Sequence, residues 1–282
     1  MKAAAFDYQR AHSLAEATAA LQAAMSAAKP LGGGQSLGPM LNLRLTRPAL
    51  LVDLSGLDEM RAVNAGPDGY WIGGALTHAE IEDGMLDTVL AEAPGLAALL
   101  RHVAAGIAYR AIRNRGTLAG SLAHADPAAD WMLAMMALNA QLQCVGAHGS
   151  RWVGIDAFMS GAFTTALADG EVLAGVRVAR CSASMRWGYY KFCRKTGEFA
   201  QASCAAVFDP VHGTARIVLG ALDGAPAPLP QLAGALARQG AAALAGDAVR
   251  DAVCQAAGTE DPVRLQLMVA AVQRCLKQVM EG

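Results

Sequence analysis

The stretch KPLGGGQSLGPMLNLRL, Lys29–Leu45, decides how this chain is read. A short lead, Lys29-Pro30-Leu31, predicts a strand that runs into Gly32-Gly33-Gly34-Gln35-Ser36. Without a Cβ, glycine lets backbone amides approach an anion closely, and a diphosphate accepts several such N–H groups. The same three glycines also suit a flexible turn after a strand, and the segment alone does not choose. Two better-known phosphate motifs fit poorly. A Walker loop needs a lysine after its last glycine, where Leu37 or Pro39 stands here. A Rossmann fingerprint would use Gly32, Gly34 and Gly38 with a ribose-binding acid at Asp53, but the spacing is GxGxxxG and Pro39 is expected to interrupt the helix that must follow.

A second glycine-bearing segment lies about 80 residues on, in IRNRGTLAGSLAHADPAAD, Ile112–Asp130. Its centre, Thr117-Leu118-Ala119-Gly120-Ser121, offers a hydroxyl, amides and a glycine. Two such loops gripping one diphosphate from both sides is a more specific expectation than either alone. Asp126-Pro127 predicts the start of a helix, since Asp serves as N-cap and proline at the first position gives up no hydrogen bond. That helix carries Trp131–Leu138 inward. His124, Asp126 and Asp130 have metal-ligand chemistry, but Asp126 is accounted for by capping and the others need ligands from elsewhere.

Working outward, Ser13 and Glu16 form a Ser-x-x-Glu box before an Ala- and Leu-rich helix ending near Ala28. A strand is expected over Ala49–Leu54, and a hairpin over Ala62–Gly73 with Gly66-Pro67-Asp68-Gly69 as its turn. Thr77 and Glu80 repeat the capping pattern, and helix is expected onward to Ala105 with a break at Pro94-Gly95. From Val172 the pattern becomes β. Val172–Val178, Met185–Phe192, Phe199–Phe208 and Ala215–Leu222 are expected to form a small antiparallel sheet, followed by a proline-rich link and an Ala-rich helical tail over Gln231–Met280. Basic Arg186, Lys191, Arg194 and Lys195 interleave with Trp187, Tyr189, Tyr190 and Phe192, which is economically read as a strand divided between core and a ligand or partner face.

Composition narrows the function classes. The 282 residues carry 23 basic and 24 acidic side chains, so there is no electrostatic footprint for nucleic acid or an anionic membrane. Although 54% of residues are hydrophobic, no run approaches the roughly 18–20 apolar residues of a membrane span. Four apolar residues between Lys2 and Asp7 are too few for a secretory signal, so a cytoplasmic chain is expected. The six cysteines, Cys144, Cys181, Cys193, Cys204, Cys254 and Cys275, show no metal or cluster spacing. No catalytic residue and no metal ligand is assigned.

Three blocks in order, Lys29–Leu45, Ile112–Asp130 and Tyr189–Ala206 (YYKFCRKTGEFAQASCAA), resemble the FAD-binding medium subunit of the molybdenum hydroxylases, the group of xanthine dehydrogenase and aerobic carbon monoxide dehydrogenase. The resemblance implies an α+β fold: a p-cresol methylhydroxylase-type FAD-binding domain over residues 1–175, built of two α/β subdomains, and a smaller C-terminal α+β domain over 176–282 with an antiparallel sheet and helices. It places Leu31, Gly32, Gly33, Gly34, Gln35 and Ser36 on the FAD diphosphate. It places Thr117, Ala119, Gly120 and Ser121 in the second loop, where Ala119 replaces a family glycine. Asp130 then makes polar contacts to the cofactor, Ile107 lines its pocket, Leu173 lies towards the flavin end and Lys191 lies near the isoalloxazine ring.

The resemblance further implies an electron-transfer subunit. FAD resides in this chain, 2Fe-2S clusters in a small partner subunit and molybdopterin in a large one, assembled as a dimer of heterotrimers. Two other readings remain beside it: a stand-alone FAD-dependent oxidase of the same fold, and a non-catalytic scaffold.

Overall fold

The computed structural model describes residues 2–240 and 247–281. Near the N-terminus, strands Asp7–Arg10, Leu50–Asp53 and Ala28–Leu31 form a parallel sheet with Leu50–Asp53 in the middle. Helix Leu14–Ala24 makes the crossover. Ser13 caps it by accepting from the Glu16 amide at 3.1 Å, while the Glu16 carboxylate reaches one residue further back than the box pattern expects, to the His12 amide at 2.9 Å. A short 3-10 turn, Met25–Ala27, closes the segment, so residue 28 already begins a strand.

The glycine loop runs from Leu31 into helix Leu37–Asn42, which contains Pro39. The interruption expected at Pro39 does not occur. Proline stands in the first turn, where amides have no intrahelical acceptor to lose. The helix lasts only six residues.

The hairpin Val63–Gly66 and Gly69–Gly73 turns where the sequence places it, with Gly66 opposite Gly69. It joins a five-stranded antiparallel sheet in the order Val63–Gly66, Gly69–Gly73, Val172–Val178, Gln141–Gly146, Gly149–Gly154. The expectation that Val172–Val178 belongs to the C-terminal sheet is therefore corrected. Buried at Val172, Leu173, Ala174, Val176 and Val178, it is the central strand of the first part and welds two hairpins together. Residue 175, the expected boundary, lies inside it.

Helices Pro94–Ala105, Leu118–His124 and Asp130–Ala137 fill the core beside this sheet. Pro94 stands at the helix start, where its ring is tolerated. The third helix is buried at every position from Asp130 to Ala137, as its unbroken apolar run requires. It begins three residues later than expected, at Asp130 rather than Pro127: Asp126 caps a turn instead, accepting from the Ala128 amide at 2.9 Å.

The remaining sheet, Arg186–Phe192, Ala202–Asp209, Thr214–Gly220 and Ala227–Pro228, is antiparallel and sandwiched. Alternate residues face opposite ways along a strand. Ala205 and Val218 join the core of the first part, while Cys204, Ala206, Ile217 and Leu219 pack with the C-terminal helices. The expected single helical tail is resolved into Pro230–Gln239, Ala248–Ala256 and Pro262–Glu281, and the part of that expectation over 241–246 lies outside the described residues. Among the described residues no helix is long and apolar enough to cross a membrane.

Candidate functional site

The two glycine-bearing loops meet. The first leaves the end of strand Ala28–Leu31, and the second precedes and opens helix Leu118–His124. A Cβ built on Gly33 would fall 1.7 Å from the Arg115 carbonyl oxygen and 2.8 Å from Gly116 Cα. One on Gly32 would fall 2.9 Å from Thr117 Oγ1. These glycines are thus required by the approach of one loop to the other. Gly34 has φ +71°, a left-handed conformation that glycine alone adopts without strain.

The first loop leaves donors free. Among the described residues, the amides of Gly33, Gly34, Gln35 and Ser36 meet no protein acceptor, and Gly33 is buried. Successive amides of this kind form an anion-binding concavity. The Gln35 side chain folds back to donate to the Gly33 carbonyl at 3.2 Å, which leaves those N–H groups uncovered.

The second loop is braced from behind. His78 N donates to the Gly116 carbonyl at 2.9 Å and Leu118 N to the Leu76 carbonyl at 3.0 Å, pairing Thr77 with Thr117. Thr117 Oγ1 caps its helix by accepting from the Gly120 amide at 3.1 Å. Ala119 donates its amide to the Gly74 carbonyl at 2.9 Å, and its methyl lies against Gly74, where an added Cβ would come within 2.5 Å. Ala119 therefore turns its side chain towards the sheet. Leu173 lies on that same side, its carbonyl oxygen 2.9 Å from the Gly74 Cβ position.

A polar cluster lies at the start of helix Asp130–Ala137. Asp130, buried, accepts from the Tyr189 hydroxyl at 2.6 Å and from Lys191 Nζ at 2.9 Å. Lys191 also donates to the Gly106 carbonyl at 3.3 Å, next to Ile107. Burial, and then the neighbouring Asp130 carboxylate, push the Tyr189 phenol well above its usual range, so it remains a hydrogen-bond donor at neutral pH. A cavity of about 410 Å³ opens here between Gly106, Tyr189, Tyr190, Lys191 and Gln278.

Trp131 links the cluster to the loops. Its indole N–H donates to His78 Nδ1 at 3.0 Å. Burial, and then the charge of Arg113, lower His78 from 6.5 to about 4, so its ring is neutral at pH 7. Arg113 is itself fixed by Glu82 at 2.8 and 3.0 Å and donates to the Ile107 carbonyl at 3.0 Å.

Residues 4–180 match the family described as the FAD binding domain in molybdopterin dehydrogenase. The chain belongs to this family, as an FAD-binding subunit of the molybdenum hydroxylases. It is 36% identical over 202 residues to the carbon monoxide dehydrogenase medium chain of Hydrogenophaga pseudoflava, covering 72% of this chain and 68% of that one. It is 34% identical over 197 residues to the nicotine 6-hydroxylase medium subunit of Paenarthrobacter nicotinovorans, covering 70% and 67%. Among solved structures, carbon monoxide dehydrogenase from Hydrogenophaga pseudoflava superposes with a TM-score of 0.90 at 30% identity, covering 100% of this chain and 99% of that one. Quinoline 2-oxidoreductase from Pseudomonas putida 86 gives 0.85 at 29% identity, with the same coverage. The α+β architecture and the oxidoreductase-subunit class of this FAD-binding chain follow from these likenesses. Relatives named medium chain or medium subunit are each one component of a larger assembly.

The residues expected at the site fall into two connected groups in this family member. Gly32 and Gly33 meet Arg115–Thr117, with Leu31 before them at the strand end and Gly34, Gln35 and Ser36 following in the same loop, while Gly120 and Ser121 lie in the helix that Thr117 caps. Ala119 and Leu173 lie behind the second loop. Asp130, Lys191 and Ile107 gather around Gly106 and Tyr189. His78, Gly74 and Tyr189 also belong to this neighbourhood. In the sequence Thr77 and Glu80 mark only a helix start, and Tyr189 stands only as part of an aromatic strip. The sole signal for His78 was a histidine beside a capping threonine.

Proposed function

We propose that this chain is the FAD-carrying electron-transfer subunit of a cytoplasmic molybdenum hydroxylase. It receives electrons from 2Fe-2S clusters of a small subunit and passes them to an external acceptor. A large molybdopterin subunit oxidises the substrate, and the assembly is a dimer of heterotrimers. The observation that carries this reading is the contact of Gly32-Gly33 with Arg115–Thr117 beside four unpartnered amides.

The residues fit FAD: a diphosphate needs several donors and no opposing carboxylate, and the amides of Gly33, Gly34, Gln35 and Ser36 supply them. Thr117, Gly120 and Ser121 close the site from the opposite loop, and Ala119 supports that loop from behind. Ile107, Leu173, Asp130 and Lys191 serve the flavin half. When bound, FAD supplies acceptance and release of one or two electrons, while the protein binds, orients and tunes it. Lys191 is held by Asp130 at 2.9 Å, and its ammonium offers a fixed positive charge that favours an anionic reduced ring.

The test is reconstitution of the purified chain with FAD. The expected result is a protein-bound flavin spectrum, with FAD retained through gel filtration and weakened binding in Gly34→Leu. Absence of bound flavin would overturn the proposal and favour a scaffold. Reduction of the flavin by a small substrate with the lone chain, free of molybdenum and iron, would favour a stand-alone oxidase instead.

A further inference from the structure

His78 is only 4% exposed, and one edge of its ring is fully assigned. The Trp131 indole nitrogen can only donate, so His78 Nδ1 must accept, and the neutral ring carries its proton on Nε2. Among the described residues that Nε2–H has no acceptor. Among the described residues Asp87 Oδ1 alone is a side-chain polar atom both sealed from solvent and without a partner, so His78 Nε2 is reached by solvent and this edge of the ring stands open to a further acceptor.

What lies in front of Nε2 is Gly116. A Cβ there would stand 2.8 Å from Nε2 and 2.9 Å from Cδ2 of His78, so only glycine leaves this edge uncovered. Gly116 is also the residue whose Cα would lie 2.8 Å from a Cβ on Gly33. The uncovered imidazole edge therefore borders the place where the two loops meet. Meanwhile, the His78 backbone amide holds the Gly116 carbonyl at 2.9 Å, which keeps the ring and the loop in register.

We infer that His78 is a cofactor-binding residue whose Nε2–H donates to an oxygen of the diphosphate–ribityl stretch of FAD, with Trp131 setting the tautomer that makes the donor available. This rests on the proposed FAD site and assigns it one more ligand. It also couples the loops to the Asp130 cluster, because Trp131 adjoins Asp130 in the chain.

Two near-isosteric replacements separate this role from a structural one. In His78→Gln the side-chain amide reaches the Nε2 position but places no acceptor at Nδ1. In His78→Asn the amide oxygen can accept from Trp131, but nothing reaches Nε2. FAD affinity is read by flavin fluorescence on the purified chain, with thermal unfolding of the FAD-free variants measured alongside. The expected result is that His78→Asn weakens FAD binding about tenfold or more while His78→Gln stays within about threefold of the parent.

Unchanged affinity in His78→Asn, or equal losses in both variants, would overturn the inference. The reverse order, with the Asn variant tight and the Gln variant weak, would make His78 merely the anchor of Trp131. Should either variant fold poorly, the unmutated chain labelled with 15N-histidine provides the second reading. The imidazole Nε2–H resonance of His78 should move on addition of FAD, and an unmoved resonance at saturation overturns the donor role. If the parent chain itself binds no FAD, the proposed function falls first, which distinguishes the two failures.

Discussion

Replacing Gly33 by alanine tests the loop contact most directly. The added methyl would fall 1.7 Å from a backbone carbonyl oxygen, far inside the 3.0 Å that real Cβ contacts essentially never breach. No side chain can rotate away, because the obstacles are the Arg115 carbonyl and Gly116 Cα. The loops must part by more than an ångström. Overpacking of this kind costs about 1–3 kcal/mol. For a chain of this size that corresponds to a fall in Tm of roughly 2–10 °C. Parting the loops also moves the unpartnered amides away from the facing Thr117, so FAD affinity should fall about tenfold or more. Gly38→Ala is the control, since a Cβ there meets nothing within 4 Å and its φ is ordinary. The assay is thermal unfolding with and without FAD, together with a fluorescence titration of the cofactor. If Gly33→Ala matches Gly38→Ala in both, the two loops do not meet as described.

Three further outcomes follow from the same geometry. Asp130→Asn leaves the Lys191 ammonium, whose side chain is only 11% exposed, without its counter-charge; chemical denaturation should show a loss of about 3–5 kcal/mol, and adding Lys191→Met should restore part of it. Ala119→Gly should leave FAD affinity within about twofold, since the methyl faces Gly74, while lowering stability by roughly 1 kcal/mol for the glycine introduced into a helix. His78 has its pKa depressed from 6.5 to about 4, so the unfolded chain takes up its proton first as pH falls. Folding stability should therefore drop by about 3 kcal/mol between pH 6.5 and 4, a slope that His78→Gln flattens in denaturation curves run at the two ends of that window.

Local rules carried much of the fold. Capping at Ser13 and Thr77, the Gly66–Gly69 turn and the inward run Trp131–Leu138 are each decided within a few residues by hydrogen bonding or apolar periodicity. What local rules cannot decide is partnership. Val172–Val178 reads as a buried strand wherever it stands, and nothing in its seven residues says that its neighbours are Gly69–Gly73 and Gln141–Gly146 rather than the strands that follow it. Pro39 misleads for the opposite reason, since the penalty for proline applies to a helix interior and this helix is little more than a first turn. The glycine loop was legible as an unusual backbone. That Gly32 and Gly33 make room for a second loop as well as for an anion is a long-range fact, invisible until Arg115–Thr117 is placed against them. His78 is harder still, because its significance lies in a tautomer fixed by a residue 53 positions away.

The central position of Val172–Val178 bears on how the chain is made. Synthesis proceeds from the N-terminus, so the hairpins Val63–Gly73 and Gln141–Gly154 leave the ribosome well before the strand that joins them. Until it arrives, each hairpin presents an unpaired edge, Gly69–Gly73 on one and Gln141–Gly146 on the other. Open edges of that kind are where nascent chains pair wrongly or recruit holdase chaperones. A truncated gene stopping at codon 175 would prolong this vulnerable interval indefinitely, whereas one extended through codon 178 would let the sheet seal.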